Sequence, residues 1–357
     1  MFPPSGVYSD SYSKDMAIVR TRLQWILLIV FLIFLFAFPL LPLTSEYLLR
    51  VIIEIAILVI SVQGINILTG FCGQVTIGQA AFMLVGGYVS ALLTKFFGFS
   101  FWVALPCAAL TAALIGILFG IPSLRVKGLY LTIFTFVAHV VIFWSLRYIP
   151  TILNQSWGAA GLSAPPPTIA NFVFDSVPSF YYLTIVFAIL FTLFTKNIVR
   201  SGLGRAFIAV RDNDKAAEAI GINVFRYKLI AFAICSFYAG VAGSLSAHYI
   251  GWIAVDSYNL MDAVWYLGMV IIGGLGSVLG AILGVIFILA LKQGMLITLP
   301  LIYAPLEKIT GQSTGSGGVL LFIFGSVVIL FLIFEPRGLA HRWEIFKASY
   351  RLWPFAH

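Results

Sequence analysis

The stretch KNIVRSGLGRAFIAVRDNDKAAEAIGINVFRYK, residues 196–228, collects much of the charge of an otherwise apolar chain. It holds seven of the 21 Lys and Arg residues together with three acids, a local net charge of +4. A charged side chain at the centre of a bilayer costs about 2.5–3.5 kcal/mol on insertion scales. We therefore expect this stretch to lie in water and the apolar segments on either side of it to cross a membrane.

A short helix is predicted inside this stretch. Residues 212–214, Asp-Asn-Asp, can cap a helix through 215–220, Gly221 can take the left-handed conformation that ends it, and Asn223 can cap the next helix. So short a helix is not stable alone in water, so we expect transmembrane helices or a partner to hold it. The alternative is an ordinary positively charged loop. A face that a partner could approach closely would be formed by Ala216, Ala217, Ala219 and Gly221.

The composition is that of a polytopic membrane protein. The chain is 61% hydrophobic and 10% charged, whereas soluble proteins are roughly 45–50% apolar and 25% charged. Its net charge of +8 lies at the ends of apolar runs, where orientation signals lie, so nucleic acid is excluded as a partner. Cys72, Cys107 and Cys235 form no C-x-x-C pair, which argues against a disulfide framework or a zinc site. We expect no metal and no cofactor.

Ten apolar segments are predicted to span the membrane, on the requirement of about 20 predominantly apolar residues per helix. Glycines divide the long run 263–291 into two short spans, the eighth and ninth. Arg50 and Glu54, four residues apart in the second span, are expected to pair on one helix face. The other eight predicted spans are residues 23–43, 48–69, 79–94, 101–121, 129–146, 180–195, 229–250 and 319–334.

The count of ten can be tested against the distribution of charge. It places both termini on the same side as residues 196–228, and that side then carries 16 of the 21 basic residues. The positive-inside rule makes this side cytoplasmic. The predicted divisions are a cytoplasmic segment 1–22, a membrane domain 23–334 with an external loop 147–179, and a cytoplasmic basic tail 335–357. The predicted fold is an all-α, multi-pass protein of the cell (inner) membrane with a cytoplasmic coupling helix between its sixth and seventh spans.

Glycines and amides interrupt the apolar sequence in TGFCGQVTIGQAAF, residues 69–82. Broken helix at membrane depth is tolerated where it is buried in protein or lines a water-filled cavity. This segment is therefore a candidate substrate path, and the alternative is a tight turn between closely packed helices. The path residues would be Gly70, Gly73, Gln74, Gly78 and Gln79.

A second glycine series lies in residues 273–284. Small residues at a spacing of four allow transmembrane helices to approach closely, so helix packing is the preferred interpretation and a substrate path is secondary. The series comprises Gly273, Gly274, Gly276, Gly280 and Gly284.

Several catalytic and coupling motifs are absent from the sequence. It has no G-x-x-x-x-G-K-[ST] phosphate loop, so it cannot bind and hydrolyse ATP by that device. It also lacks H-E-x-x-H, G-x-S-x-G and a cluster of buried acids of the kind that ion-coupled carriers use. We therefore predict a transport subunit that is not an enzyme, rather than an intramembrane enzyme or a self-contained secondary carrier or channel.

Three blocks of this sequence resemble the permease subunits of ABC importers for branched-chain amino acids. The first is GQVTIGQAAF, residues 73–82. The second is GRAFIAVRDNDKAAEAIGINVFRYKLIAF, residues 204–232, followed by AGVAGSLSA at 239–247. The third is GGLGSVLGAILG, residues 273–284. Such permeases dock a cytoplasmic helix into a separate ATPase subunit, and the resemblance gives that role to Arg211, Asp214, Ala216, Ala217, Glu218, Ala219 and Gly221.

The resemblance also implies partners and a substrate. The partners would be ABC ATPase subunits, a second homologous permease subunit in a heterodimer, a solute-binding protein and membrane lipid. The substrates would be leucine, isoleucine and valine, delivered by the binding protein. Family members usually carry a T-G-G-like segment in the large external loop, where this chain has Ser156, Trp157 and Gly158. Urea and short amides, which close relatives carry, are the alternative substrates.

Overall fold

The computed structural model describes residues 22–40, 45–123, 129–152, 160–169, 172–310, 316–335 and 337–352. The predicted amino-terminal segment, except Arg22, and the loop residues Ser156–Gly158 lie outside this part of the chain. Thirteen α-helices occur in the described residues. They are α1 Arg22–Ala37, α2 Glu46–Ile65, α3 Gln79–Lys95, α4 Phe101–Ser123, α5 Leu129–Ile152, α6 Val177–Arg200, α7 Gly202–Asp212, α8 Asp214–Ala219, α9 Val224–Ile250, α10 Leu260–Gly273, α11 Val278–Thr310, α12 Ser316–Phe334 and α13 Leu339–Leu352.

The predicted all-α polytopic membrane protein is confirmed. Six helical segments in the described residues are long and apolar enough to cross a membrane: Glu46–Phe71, Phe101–Pro122, Tyr130–Ile149, Val177–Arg200, Val224–Ile250 and Val278–Thr298. Strands are limited to two residues each in the described part, at β1 Leu162–Ser163, β2 Thr168–Ile169, β3 Phe172–Val173 and β4 Trp252–Ile253. Strand β1 pairs with β4 and β2 with β3, both antiparallel.

Helix α9 lies at the centre of the bundle and contacts α2, α3 and α4. Small residues bring α3 and α9 together. A Cβ added at Gly86 would lie 2.4 Å from the Cα of Gly240, so the two backbones touch as small-residue packing allows. The AGVAGSLSA block is thus part of the buried core.

The two ends of the bundle differ in what they bring together. At one end the Arg147 guanidinium pairs with Asp256 at 2.7 Å, and β1 pairs with β4. We call this the Asp256 end. At the other end Arg211 lies against Gly70, and we call this the Arg211 end.

Several predicted boundaries are corrected. Helix α6 continues to Arg200, so the first five residues of the 196–228 stretch are helical and belong to the sixth apolar helix. Helix α7 was not predicted. The run 263–291 does divide at its glycines, but α11 has 33 residues and is not a short span. The basic tail contains α13, which contacts α10 and α11.

The predicted Arg50–Glu54 pair is wrong. Arg50 instead lies 3.8 Å from Glu46, and Glu54 lies 3.9 Å from Lys292 of α11. Helix periodicity allows an i,i+4 pair, but in the folded bundle the Glu54 carboxylate lies beside the ammonium of Lys292 from another helix. Charged residues from distant parts of the sequence are therefore close together beside α2.

Candidate functional site: a docking helix joined to a broken helix

Helix α8 has the ends that its sequence predicts. Asn213 Oδ1 accepts hydrogen bonds from the amides of Lys215 at 3.0 Å and Ala216 at 3.1 Å. At the other end Gly221 has a φ of +85°, and the amides of Gly221 and Ile222 donate to the carbonyls of Glu218 and Ala217. These two bonds form a Schellman motif. The helix is therefore closed at both ends although it has only six residues.

An ion pair and a buried alanine hold α8 against the bundle. The Lys228 ammonium of α9 lies 2.7 Å from the Asp214 carboxylate, and their side chains are only 16% and 24% exposed. Ala217 is 1% exposed. So short a helix persists because a neighbouring transmembrane helix holds it from one side.

The opposite face of α8 is open to solvent. Of the predicted docking residues, Ala216, Glu218, Ala219 and Gly221 are exposed. Ala217 is not on this face, which corrects its predicted place, because it points into the bundle. Ile220, which follows the helix and is not among the predicted docking residues, is 74% exposed.

Helix α7 packs beneath this region. Ser201 caps it by accepting from the amide of Leu203, and Phe207 is fully buried with its ring 6.3 Å from that of Tyr227. Gly202 and Gly204 obscure the helix in the sequence, although the spacing of its buried residues has the helical period. Those buried residues are Gly204, Ala206, Phe207 and Val210.

Arg211, near the end of α7, reaches into the broken helix. Its Nη1 donates a hydrogen bond to the carbonyl oxygen of Gly70 at 3.0 Å, and its Nε donates to Asp212 at 3.0 Å. Gly70 lies in the π-helical segment Asn66–Phe71 that continues α2. Local π geometry leaves backbone carbonyls without their regular partners and occurs often at functional sites.

The glycine series of α10 and α11 completes this junction. A Cβ at Gly70 would lie 2.4 Å from the amide nitrogen of Gly276, so the two backbones are in contact. Asn66 bridges them, accepting from the Gly276 amide at 3.0 Å and donating to the Ser277 carbonyl at 3.0 Å. The structure thus brings three separate sequence motifs to one point at the Arg211 end, which we call the coupling junction: Asn66, Gly70, Arg211, Gly276 and Ser277.

The rest of the glycine series lies between α10 and α11. A Cβ at Gly284 would come within 1.9 Å of the Met269 carbonyl oxygen, and one at Gly273 within 2.1 Å of the Gly280 carbonyl oxygen. Close contact between the two helices therefore requires glycine at these positions. Gly274 instead lies against α13, near Ala340.

The two predicted path glutamines are in different situations. The Gln79 amide is fully engaged, since Nε2 donates to the carbonyl and hydroxyl of Ser61 at 2.9 and 3.0 Å and Oε1 lies 3.1 Å from the Cys235 thiol. Gln74 is buried, and its Oε1 has no hydrogen-bond partner in the described residues. The hydrogen bonds of Gln79 join helices, which is the arrangement expected if the segment is a tight turn between closely packed helices. Gln74 instead has an acceptor oxygen without a partner in the described residues.

Comparison with known proteins places these elements in a family. Residues 47–332 match the family described as branched-chain amino acid transport system / permease component. The chain belongs to this family. The matched range includes the broken helix, the α7–α8 region and the glycine series, so all parts of the coupling junction belong to the permease component.

Individual proteins that resemble the chain are also permeases of transport systems. The high-affinity branched-chain amino acid transport system permease protein LivM of Escherichia coli is 29% identical over 302 residues, covering 77% of this chain and 66% of its own length. The probable LivM of Methanocaldococcus jannaschii is 25% identical, covering 66% of this chain and 67% of its own. The autoinducer 2 import system permease LsrC of Photorhabdus laumondii is 30% identical over 39% of each chain. The chain thus spans just under two thirds of the Escherichia coli relative. No solved structure matches the chain.

Proposed function

We propose that this permease component is the transmembrane subunit of an ATP-binding-cassette importer that carries leucine, isoleucine and valine. The observation that carries the proposal is the family match over residues 47–332. The names of the LivM relatives supply the substrate class. ATP hydrolysis belongs to a separate subunit in this proposal, since the sequence has no phosphate loop of its own.

The proposed topology has ten spans. Helices α1, α3, α10 and α12 join the six long apolar segments, and the Arg211 end faces the cytoplasm. In support, the basic residues of the α7–α8 region gather at that end, whereas Arg147 and Asp256 pair at the other. The excess of Lys and Arg marks the cytoplasmic side. Both termini are then cytoplasmic.

The exposed face of α8 is the proposed ATPase-docking surface. Ala216, Ala219 and Gly221 allow close approach, Ile220 provides an apolar anchor and Glu218 provides a charge. The partly buried ion pair between Lys228 and Asp214 fixes the helix on the side facing the bundle, so docking orders little additional chain. The coupling junction then connects a movement of α7 and α8 to the broken helix, because Arg211 holds the carbonyl of Gly70.

The remaining proposed partners are a second permease subunit, a solute-binding protein and lipid. Helix α5 has a broad apolar surface that suits lipid or a second permease. Its exposed residues include Tyr130, Ile133, Val137, Val140 and Trp144. The binding protein would dock at the Asp256 end, where β1 and β4 cover the end of α9.

Uptake measurements test this function. Cells that lack endogenous leucine uptake, with and without the chain and its co-expressed partner subunits, are given labelled leucine, isoleucine, valine or urea. We expect chain-dependent uptake of the three amino acids that is abolished by vanadate and survives an uncoupler of the proton gradient. Uptake of urea alone would replace the substrate class, and vanadate-resistant uptake that the uncoupler stops would replace the importer with a secondary carrier.

A further inference from the structure

A cavity of about 490 Å³ opens among α2, α9, α10 and α11. Its volume is within the range of about 300–1,000 Å³ that small-molecule sites occupy. Two cations and two anions line it together, namely Arg50, Lys292, Glu54 and Asp262. Its aliphatic lining includes Ile57, Leu58, Met83 and Met269.

The cavity reaches deep along α2. With a rise of about 1.5 Å per residue, Glu54 lies about 12 Å along the axis from Glu46, and Leu58 about 18 Å. A bilayer core is about 30 Å thick. The charged residues therefore lie nearer the Asp256 end, and the aliphatic residues lie near the middle of the bundle. Ionisable residues at membrane depth that face a cavity mark substrate pathways.

The Lys292–Glu54 pair in the cavity is loose. Lys292 is 3.9 Å from Glu54, with side chains 40% and 39% exposed. The other carboxylate, Asp262, accepts a hydrogen bond from the Asn259 amide at 2.9 Å through one of its two oxygens. Other ion pairs of this chain, such as Lys228–Asp214, close to 2.7 Å. A long, half-exposed pair contributes about 0–1 kcal/mol, so a ligand with its own charges can take the place of either partner at little cost.

A buried hydroxyl adds a polar group to the lining. Tyr258 lines the cavity and is 5% exposed. Ser246, which also lines the cavity, interacts with the Tyr258 hydroxyl. Together these two side chains place hydroxyl groups in the wall of the cavity.

We propose that this cavity is a substrate-binding site for the zwitterion of an aliphatic α-amino acid. Glu54 and Asp262 hold the ammonium group, Lys292 and Arg50 hold the carboxylate, and the side chain lies on Ile57, Leu58, Met83 and Met269. The inference rests on the proposed transport function and adds to it where the substrate is held and which chemical groups select it. An uncharged amide would use neither pair of charges.

Hydrogen bonds connect the wall of the cavity to the interrupted segment. The Met83 sulfur, in the wall, accepts a hydrogen bond from the Ser61 hydroxyl at 3.2 Å, and Ser61 in turn accepts from Gln79. Of these three residues, Gln79 belongs to the interrupted segment, residues 69–82.

Ligand selection provides the first test. The full chain, purified with its co-expressed ATPase and second permease subunits but without the solute-binding protein, which would bind leucine itself, is titrated with labelled leucine. Competitors are then added that keep at most one of the two charges of leucine. 4-Methylpentanoate keeps the carboxylate, 3-methylbutylamine keeps the ammonium, and urea keeps neither. We expect unlabelled leucine to displace the label at least about tenfold more effectively than any of the three. Equal competition by an analogue with one charge would overturn the zwitterion site.

Paired variants provide the second test. Glu54→Gln and Lys292→Gln should each weaken leucine binding about tenfold or more, whereas Asp256→Asn, which removes an external carboxylate outside the cavity, should leave binding unchanged. Melting of each variant without ligand separates misfolding from lost binding, and Glu54→Asp, which keeps the carboxylate, should retain most of the affinity.

The outcomes separate this inference from the proposed function. If the unaltered chain transports leucine, and the Glu54 and Lys292 variants melt normally and bind it equally well, the site is wrong while the transport function stands. If the unaltered chain supports no branched-chain amino acid uptake and binds no leucine, both are wrong.

Discussion

The guanidinium of Arg211 holds the carbonyl oxygen of Gly70, with 3.0 Å between Nη1 and the oxygen, across 141 positions of sequence. This bond joins the helix that precedes the proposed docking surface to the last turn of the broken helix. A charge-assisted hydrogen bond of this kind contributes about 1.5–3 kcal/mol. In the proposed function it is the contact through which movement of the α7–α8 region reaches the membrane-embedded backbone.

Arg211→Lys is predicted to uncouple transport. Lysine keeps the charge but lacks the planar fork that lets one side chain bond Gly70 and Asp212 together. We expect normal insertion and ATPase co-purification, with uptake reduced about tenfold. Arg226→Ala, which removes an exposed cation on the same side, is the matched control and should transport normally. Full uptake by Arg211→Lys would show that the bond is not part of coupling.

Gly221→Val is predicted to abolish docking. Gly221 has a φ of +85°, and among the described residues none beyond its immediate chain neighbours would lie within 4 Å of an added Cβ, so the strain arises from the backbone alone. The left-handed conformation costs an L-residue about 1–2 kcal/mol, and β-branching adds to it. We expect the variant to insert but to lose ATPase co-purification and uptake. Gly221→Asn, which tolerates this conformation, should keep both, and an active Gly221→Val protein would contradict the docking assignment.

The two path glutamines are predicted to behave differently. Gln79→Ala leaves Ser61 groups in the core without their amide donor, so it should lower the free energy of unfolding by about 1–3 kcal/mol. Gln74→Ala removes an acceptor that has no partner in the described residues, so it should preserve stability and change the maximal uptake rate. Thermal melting and initial uptake rates measure the two effects. Unchanged uptake in a stable Gln74→Ala protein would remove this residue from the path.

The proposed orientation predicts which cysteines an impermeant thiol reagent reaches. Lys215→Cys replaces a side chain that is 82% exposed at the Arg211 end, and Phe172→Cys replaces one that is 58% exposed in the predicted external loop. In intact cells we expect labelling of Phe172→Cys alone, and after permeabilisation labelling of both. Labelling of Lys215→Cys in intact cells would invert the topology.

Much of the fold is determined by local sequence. Long apolar runs predict the membrane helices because each helix satisfies its own backbone and must be apolar where it meets lipid. The caps of α8 are also local, since Asn213 and Gly221 act on residues within one turn. Helix α7 also has a local signal, namely the helical spacing of its buried residues, but Gly202 and Gly204 disfavour a helix. Packing of the buried Phe207 against the bundle stabilises it.

The tertiary structure alone decided which distant residues meet. The sequence shows Arg50 and Glu54 at pairing distance on one helix, yet Glu54 faces Lys292 because the packing of α2 against α11 sets the register between them. The same holds for the cavity, and for the contact of Gly70 with Arg211 and Gly276. Hydrophobic pattern and caps act over one or two turns, so they determine where helices begin and end. Which faces of those helices touch depends on side-chain and glycine packing summed over the whole bundle, and no short stretch of sequence contains that information.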